Sequence, residues 1–143
     1  MGNRIQEEPL SLETLVQETE GVDDGALVVF SGNVRAVDRG VKVAALDYDV
    51  HRPMAEQAIR RIEDDIVKLD GVLSCRIIHR VGYVPAGESS VYIVVRGRHR
   101  PEAFEAAREG IERVKREVPI WKEDIYPDGS RRSRSSGSGT PLV

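Results

Sequence analysis

Two lysines near the end of the chain stand on either side of a proline. Lys115 precedes Pro119, and Lys122 follows it beside Trp121, the only tryptophan. Because a proline ends a helix, a helix that carries Lys115 has to stop at about Val118, and Lys122 is expected on the strand that follows. Cations held on two rigid elements beside an apolar ring are typical of a pocket for an anion. Taken singly, each lysine is better explained as an ordinary side chain that keeps its charge in solvent.

A second cationic pair, His99 and Arg100, stands directly before Pro101. Proline is favoured in the first turn of a helix, so this pair is expected at the beginning of the helix that carries Lys115. The amide groups of a helix N-terminus bind anions, and an arginine beside them adds further donors. A solvated basic corner explains the same residues equally well.

Arg35 is the third candidate. It follows the apolar run of residues 26–30 and Gly32. Loops that follow a strand often carry functional side chains because the sheet positions them. A single arginine in such a loop is nevertheless more often a surface residue.

The elements that would hold these residues follow no regular repeat. Apolar residues spaced by three and four predict helices, and short apolar or alternating runs predict strands. The expected order is a short helix capped by Ser11, strands at residues 26–30 and 43–50, a helix from Pro53 to about Asp70, strands at 72–81 and 91–97, and a helix from Pro101 to Val118. Paired strands around two main helices favour an α+β fold with antiparallel or mixed sheets. Cys75 falls in phase with apolar neighbours and is expected to be buried and inert.

Composition excludes several classes of protein. The 143 residues suit one domain, and a net charge of −3 gives no basic field for non-specific binding of nucleic acid. No apolar run is long enough for a signal peptide or a membrane span, so a cytoplasmic protein is expected. One cysteine and three histidines do not make a standard zinc site, and there is no GxxxxGK[ST] loop, so neither a metal nor a cofactor is expected.

The chain changes in composition after Gly129. Residues 130–143 are rich in serine, glycine and arginine, which bury too little apolar surface to offset the entropy lost on ordering. We therefore expect one catalytic domain over residues 1–129, followed by a low-complexity tail over residues 130–143.

Five segments, in order, resemble the MoaE family of large, catalytic subunits of molybdopterin synthase. The most specific segment contains Lys115 and then Val-Pro-Ile-Trp-Lys-Glu at residues 118–123, which is similar to the family's lysine and PxWK signature. The other four are residues 25–35, 46–48, 78–82 and 99–104. Each segment is weak by itself, but five in the right order between residues 25 and 129 are specific.

The resemblance implies an α+β fold of the α/β-hammerhead type and a sulfurtransferase of molybdenum cofactor biosynthesis. In this family a small ubiquitin-like (MoaD-like) subunit carries a thiocarboxylate on its C-terminal Gly-Gly. The tail of that subunit enters a pocket of the large subunit, and two sulfurs pass in turn to cyclic pyranopterin monophosphate, which gives molybdopterin. The large subunits form a homodimer within a heterotetramer, with one small subunit at each end.

The resemblance also implies roles for single residues. Lys115 and Lys122 match the two pocket lysines and are the expected catalytic residues, with Lys115 nearest the thiocarboxylate carbon. Arg35 matches the substrate arginine, while His99 and Arg100 match a pair that the neighbouring protomer contributes to the anionic end of the substrate. The expected substrate-binding set also includes the residues that flank these contacts, namely Asn33, Val34, Glu123 and Asp124.

Two other functions compete with this one. A homologue that docks a ubiquitin-like tail without catalysis would not need an anion-binding set, so the presence of both lysines, Arg35 and the His99–Arg100 pair favours the enzyme. An RNA-binding protein could use the arginines at residues 96–100 and the arginine-rich tail. Aromatic residues make up only 5% of the chain and the net charge is acidic, which disfavours RNA binding.

Overall fold

The helices begin at residues that favour the start of a helix. The computed structural model describes residues 3–134, which contain α1 (Leu12–Glu18), α2 (Arg52–Ile66) and α3 (Arg100–Glu117). The side chain of Ser11 accepts a hydrogen bond from the amide of Thr14 and so caps α1. Pro53 and Pro101 lie in the first turns of α2 and α3, where a helix needs no amide donor.

The strands form two four-stranded sheets and one short hairpin. The strands are β1 (Ile5–Gln6), β2 (Ala26–Asn33), β3 (Val37–Asp38), β4 (Val41–Lys42), β5 (Ala45–Val50), β6 (Val72–Arg80), β7 (Gly82–Pro85), β8 (Ser89–Gly97), β9 (Ile120–Ile125) and β10 (Arg131–Arg134). The first sheet has the order β1-β6-β8-β2 and the second has the order β10-β9-β5-β7, while β3 pairs with β4. Only β1 and β6 pair in parallel among these strands.

The core lies between the first sheet and the two long helices. α2 packs on β6, and α3 packs on β8 and β2. α2 contributes the fully buried Ile59 and Ile62, whereas α3 contributes small residues such as Ala103 and Ala106. On the other face of the sheet, Leu15 of α1 packs in a smaller apolar cluster.

The structure confirms the predicted α+β class, with two main helices and antiparallel or mixed sheets. The end of α2 was predicted wrongly, because the helix stops at Ile66 and not at Asp70. Leu69 is 45% exposed, so the apolar spacing no longer buries residues after Ile66. Cys75 is buried as predicted, and burial raises the pKa of its thiol.

The strand predicted at residues 26–30 is longer and more exposed than expected. β2 continues to Asn33, so that Gly32 lies inside the strand and not in a loop after it. Because β2 is at the edge of its sheet, Leu27 and Val29 are 42% and 37% exposed.

The sheet extends past the proposed domain boundary at Gly129. β10 pairs with β9, and Arg131 of this strand forms ion pairs with Asp47 and Glu123. The boundary stays a prediction, and the rest of the proposed tail, residues 135–143, lies outside the described residues. None of the helices in residues 3–134 is long and apolar enough to cross a membrane.

Candidate active site

A cavity of about 150 Å³ opens where the ends of both sheets meet α3. Its lining includes Arg35, Lys115 and Lys122, so the three candidates that the sequence places on a loop, a helix and a strand reach the same space. Other lining residues are Phe30, Gly32, Asn33, Asp38, Val43, Leu46, Tyr48, Ser90, Val91 and Ile111.

Lys115 reaches the cavity from the last turn of α3, as predicted. Its neighbours in the helix hold it there, because Val114 and Val118 are fully buried while Lys115 itself is exposed. A cation in the last turn of a helix is also favoured by the negative end of the helix dipole. The lysine is therefore positioned by its backbone while its charge stays available to a ligand.

Lys122 and Tyr48 enter the cavity as a cross-strand pair. They are directly opposite each other in the antiparallel pair of β5 and β9, which puts both side chains on one face of the second sheet. Trp121 is the neighbour of Lys122 along β9 and does not line this cavity. It lines an adjoining depression that also includes Tyr48 and Lys122. The aromatic wall expected from Trp121 is supplied by Tyr48 and Phe30.

A buried histidine supports this wall. The ring of His79 is 0% exposed and packs edge-on against the ring of Tyr48, with centroids 5.1 Å apart. Its Nδ1 lies 2.7 Å from the carbonyl oxygen of Arg80, so the proton belongs on Nδ1. Burial, assisted by the positive charge of Lys122, lowers the pKa of His79 to about 4, so the ring is neutral at physiological pH.

Hydrogen bonds orient the polar residues at the mouth of the cavity. The amide oxygen of Asn33 accepts hydrogen bonds from the hydroxyls of Ser31 and Ser89 at 2.7 and 2.8 Å. The oxygen is therefore engaged by these hydroxyls, and the amide nitrogen is the group through which Asn33 can donate to a ligand. Arg35 is 72% exposed, and its Nη2 donates to Asp38 at 2.7 Å. This pair joins an exposed guanidinium to a mostly buried carboxylate, and it holds the guanidinium at the rim without burying it.

Gly32 makes room for the cavity wall. A Cβ atom at this position would lie 2.6 Å from Cγ1 of Val91, closer than real side chains approach one another. Any larger residue would therefore push Val91 into or out of the cavity lining.

The chemistry of the lining favours an anionic ligand. Arg35, Lys115 and Lys122 provide three positive charges, against the single carboxylate of Asp38. Aromatic and aliphatic side chains make up much of the remaining wall, which suits a flat ring attached to an anionic group. Residues 3–134 hold no cluster of His, Cys, Asp or Glu side chains suited to a metal ion.

His99 and Arg100 lie elsewhere in this protomer. They stand at the beginning of α3, beside the start of β2, and the side chain of His99 is 77% exposed with Nδ1 3.2 Å from Glu102. The cavity is at the other end of β2, where Gly32 and Asn33 line it. One chain therefore does not bring this pair to Lys115 and Lys122.

Three other predicted residues flank the cavity without lining it. Val34 is buried, and its backbone bonds to Glu88 and Gly87, which fixes the end of β2. Asp124 is also buried, and Glu123 lies 3.1 Å from Arg131. Their predicted contacts with substrate stay predictions.

Sequence reasoning missed Tyr48, Phe30 and His79 as parts of this site. Tyr48 and His79 lie in segments that support the family resemblance, but their role depends on strand register, which the sequence does not reveal. The alternation that puts Tyr48 on one face of its strand was visible, while its position opposite Lys122 was not.

Fold and cavity together define an α+β protein with a cation-lined pocket for an anionic ligand. The family model for the MoaE protein matches residues 5–117. A molybdopterin synthase catalytic subunit from Staphylococcus aureus (strain COL) is 40% identical over 128 residues, which are 89% of this chain and 86% of that protein. The chain belongs to the MoaE family.

Solved structures agree with this assignment. The crystal structure of molybdopterin synthase from Staphylococcus aureus has a TM-score of 0.86 and 36% identity, over 93% of this chain and 96% of that chain. A complex of subunits 1 and 2 of molybdopterin-converting factor from Helicobacter pylori 26695 has a TM-score of 0.76 and 27% identity, over 93% of this chain and 90% of that chain.

Proposed function

We propose that this chain is the catalytic subunit of a molybdopterin synthase, a sulfurtransferase of molybdenum cofactor biosynthesis that acts in the cytoplasm. It transfers two sulfurs in turn to cyclic pyranopterin monophosphate. The observation that carries the proposal is that Arg35, Lys115 and Lys122, from three separate elements, line one cavity of a MoaE-family fold. The phosphate of the substrate suits those cations, and its ring system suits the wall of Tyr48 and Phe30.

The proposed sulfur donor is a small ubiquitin-like subunit that ends in a Gly-Gly thiocarboxylate. The similar Helicobacter pylori structure is a complex of two different subunits, which supports a partner of this kind. Because sulfur would arrive already activated on the partner, this chain needs no reactive thiol of its own. Its only cysteine, Cys75, is buried in the core, and burial raises the pKa of the thiol away from the reactive thiolate form.

Lys115 is proposed to act at the acyl carbon of the thiocarboxylate. Replacement of sulfur at that carbon passes through an anionic intermediate, which a fixed ammonium group stabilises or supplies with a proton. Lys122 and Arg35 are proposed to hold the pterin and its phosphate. In this arrangement Lys115 acts on the reacting acyl group, while Lys122 and Arg35 act on the substrate.

The test compares Lys115→Ala with Arg116→Ala. The two residues are neighbours in the last turn of α3, but only Lys115 lines the cavity, while Arg116 is exposed and lies 3.6 Å from Glu117. With a thiocarboxylated small subunit and the pterin substrate, we expect product formation to fall by about 100-fold or more in Lys115→Ala and to stay near wild type in Arg116→Ala. Near-normal turnover of Lys115→Ala would refute the catalytic role.

A further inference from the structure

β8 contains a bulge where it passes the end of β2. The two strands pair regularly as far as Gly32, which lies opposite Val91, but the next residue, Asn33, lies opposite Ser89. Ser90 is therefore an extra residue in β8. A bulge changes the direction of the side chains beyond it, and bulges are frequent next to active sites. In a regular ladder Ser90 would stand opposite Asn33, so the bulge gives Asn33 a different neighbour.

Hydrogen bonds on both sides hold the bulge in place. The hydroxyl of Ser90, which is 3% exposed, donates to the carbonyl oxygen of Gly32 at 3.3 Å. Beyond the bulge, the amide of Val34 donates to the carbonyl oxygen of Glu88 at 3.0 Å, and the amide of Gly87 donates to the carbonyl oxygen of Val34 at 2.7 Å. The two residues that face each other across the bulge are therefore positioned by their backbones.

The bulge brings three polar side chains together. Ser31 and Asn33 are two positions apart on β2 and share one face of the strand, and Ser89 stands opposite Asn33. The amide oxygen of Asn33, Oδ1, lies 2.7 Å from the hydroxyl oxygen of Ser31 and 2.8 Å from that of Ser89. The two hydroxyl oxygens are 2.9 Å apart.

The protons of the two hydroxyls engage the amide oxygen in every arrangement within this cluster. Each hydroxyl has one proton, and three contacts share the two protons. When one hydroxyl donates to the other, the second still donates to Oδ1 of Asn33. The oxygen side of the carboxamide is therefore held, and the nitrogen, with its two N–H donors, is left for a ligand.

The cluster reaches the cavity through one of its members. Asn33 lines the cavity together with Arg35, whereas Ser31 and Ser89 lie outside the lining and contact Asn33 from there. The lining already contains three cations. A neutral donor adds a directed hydrogen bond to such a pocket without adding charge, which contributes to orienting the ligand.

We propose that Ser31 and Ser89 are positioning residues, which hold the carboxamide of Asn33 so that its nitrogen donates a hydrogen bond to the substrate. Asn33 makes the contact, and the serines act through it. A carboxamide that is already oriented loses less side-chain entropy when the substrate binds, so the serines lower KM and have little effect on kcat. This inference deepens the proposed function and rests on it, because the substrate is the pterin of that reaction.

The test combines a pair of serine substitutions with Asn33→Ala in a double-mutant cycle. In sulfur transfer from a thiocarboxylated small subunit, Ser31→Ala/Ser89→Ala should raise KM for the pterin by about 5- to 10-fold and leave kcat within about 2-fold of wild type. In the Asn33→Ala chain the same pair should raise KM no further, because the residue through which it acts is gone. Ser31→Thr/Ser89→Thr keeps both hydroxyls and should keep KM within about 2-fold of wild type.

Ser74→Ala is the matched control. Ser74 is a serine of β6 in the same sheet and lies outside the cavity lining, so its replacement should leave KM unchanged. An unchanged KM in the alanine pair, or an equal rise in KM with and without Asn33, overturns the positioning role. A threonine pair that behaves like the alanine pair overturns it as well. Hydroxyls that only stabilise the ends of the strands would give an equal rise in both backgrounds.

A second measurement needs no substrate. Relaxation of the 15N-labelled side-chain NH2 group of Asn33 gives an order parameter for its picosecond-to-nanosecond motion. We expect about 0.8 in wild type and a fall below about 0.6 in the alanine pair. Equal order parameters in the two proteins overturn the proposal. A fall in the order parameter, together with no sulfur transfer by the wild-type chain, would contradict the proposed function and not the hold of the serines on Asn33.

Discussion

Buried neighbours fix the backbone that carries Lys115 and Lys122. Val114 and Val118 fix the last turn of α3, and Ile120 fixes the start of β9, all with 0% exposure. An anion that binds then has to order only the side chains of the lysines and not their backbone, which lowers the entropic cost of binding. Arg35 is held in a different way, because its guanidinium donates to Asp38 at the rim of the cavity.

Replacing Arg35 should weaken substrate binding more than it slows the chemical step. If Arg35 holds the phosphate, Arg35→Ala removes a charge-assisted hydrogen bond to the substrate, and KM for the pterin should rise by about 10- to 100-fold while kcat changes less. Steady-state kinetics of sulfur transfer measures both constants. Lys42→Ala, which removes an exposed cation outside the cavity lining, is the control and should leave KM unchanged. A fall in kcat alone would place Arg35 in the chemical step.

His79 predicts a dependence of stability on pH. Its pKa is about 4 in the folded protein and about 6.5 in the unfolded chain, so the unfolded chain binds more protons between these values. The stabilisation by neutral His79 is therefore complete above pH 6.5 and is lost as pH falls toward 4, by about 2 kcal/mol at pH 5. Urea unfolding at pH 7 and pH 5 measures the change.

His79→Gln isolates this contribution from the carboxylates, which titrate at lower pH. The variant should have a lower free energy of unfolding at pH 7 and a smaller loss between pH 7 and pH 5 than wild type. If both proteins lose the same amount, the histidine is not held neutral by burial.

At the scale of elements, the sequence predicts the helices and strands, but the register between strands decides which side chains meet. The ends of α3 and the strand after Pro119 were predictable, because proline and apolar spacing act locally. Tyr48 is paired with Lys122 and packs against His79, and both partners are more than 30 positions away in the sequence. These contacts depend on which strands are neighbours in the sheets, and the sequence of a single strand does not determine that. The sequence also failed to predict the full length of β2, because a glycine such as Gly32 is typical of a loop. Its place in the strand is explained only by the close approach of Val91, which leaves no room for a side chain.

A buried ion pair helps to hold the N-terminal strand against α2. Nε of Arg4 lies 2.8 Å from Glu63 on α2, both side chains are less than 10% exposed, and the same carboxylate accepts from the amide of Ile77 at 2.7 Å. Glu63→Ala would bury the charge of Arg4 without this carboxylate and should lower the free energy of unfolding by about 3 to 5 kcal/mol. Asp64→Ala, on the exposed face of the same helix turn, should change it by less than about 0.5 kcal/mol. Denaturant titration of both variants measures the difference, and similar values would contradict a central role for the pair.

At the scale of the whole molecule, one protomer holds an incomplete set of cations. Arg35, Lys115 and Lys122 meet at one end of β2, while His99 and Arg100 stand at the other. The sequence predicted both groups, but which group belongs to which protomer is a property of assembly and not of the chain. The eight residues of β2 lie between the two groups.

Hybrid dimers test whether one active site is built from two chains. In a dimer of one Arg35→Ala chain and one Arg100→Ala chain, a shared site puts both defects into one cavity and leaves the other with an intact Arg35 and an intact partner's Arg100. Hybrids purified through a different affinity tag on each chain should therefore show about half of wild-type sulfur transfer, although each parental homodimer is impaired. If each cavity used only its own chain, one cavity would lack Arg35 and the other Arg100, and the hybrid would be as impaired as its parents. The recovered half is thus specific to a site that residues of both chains build.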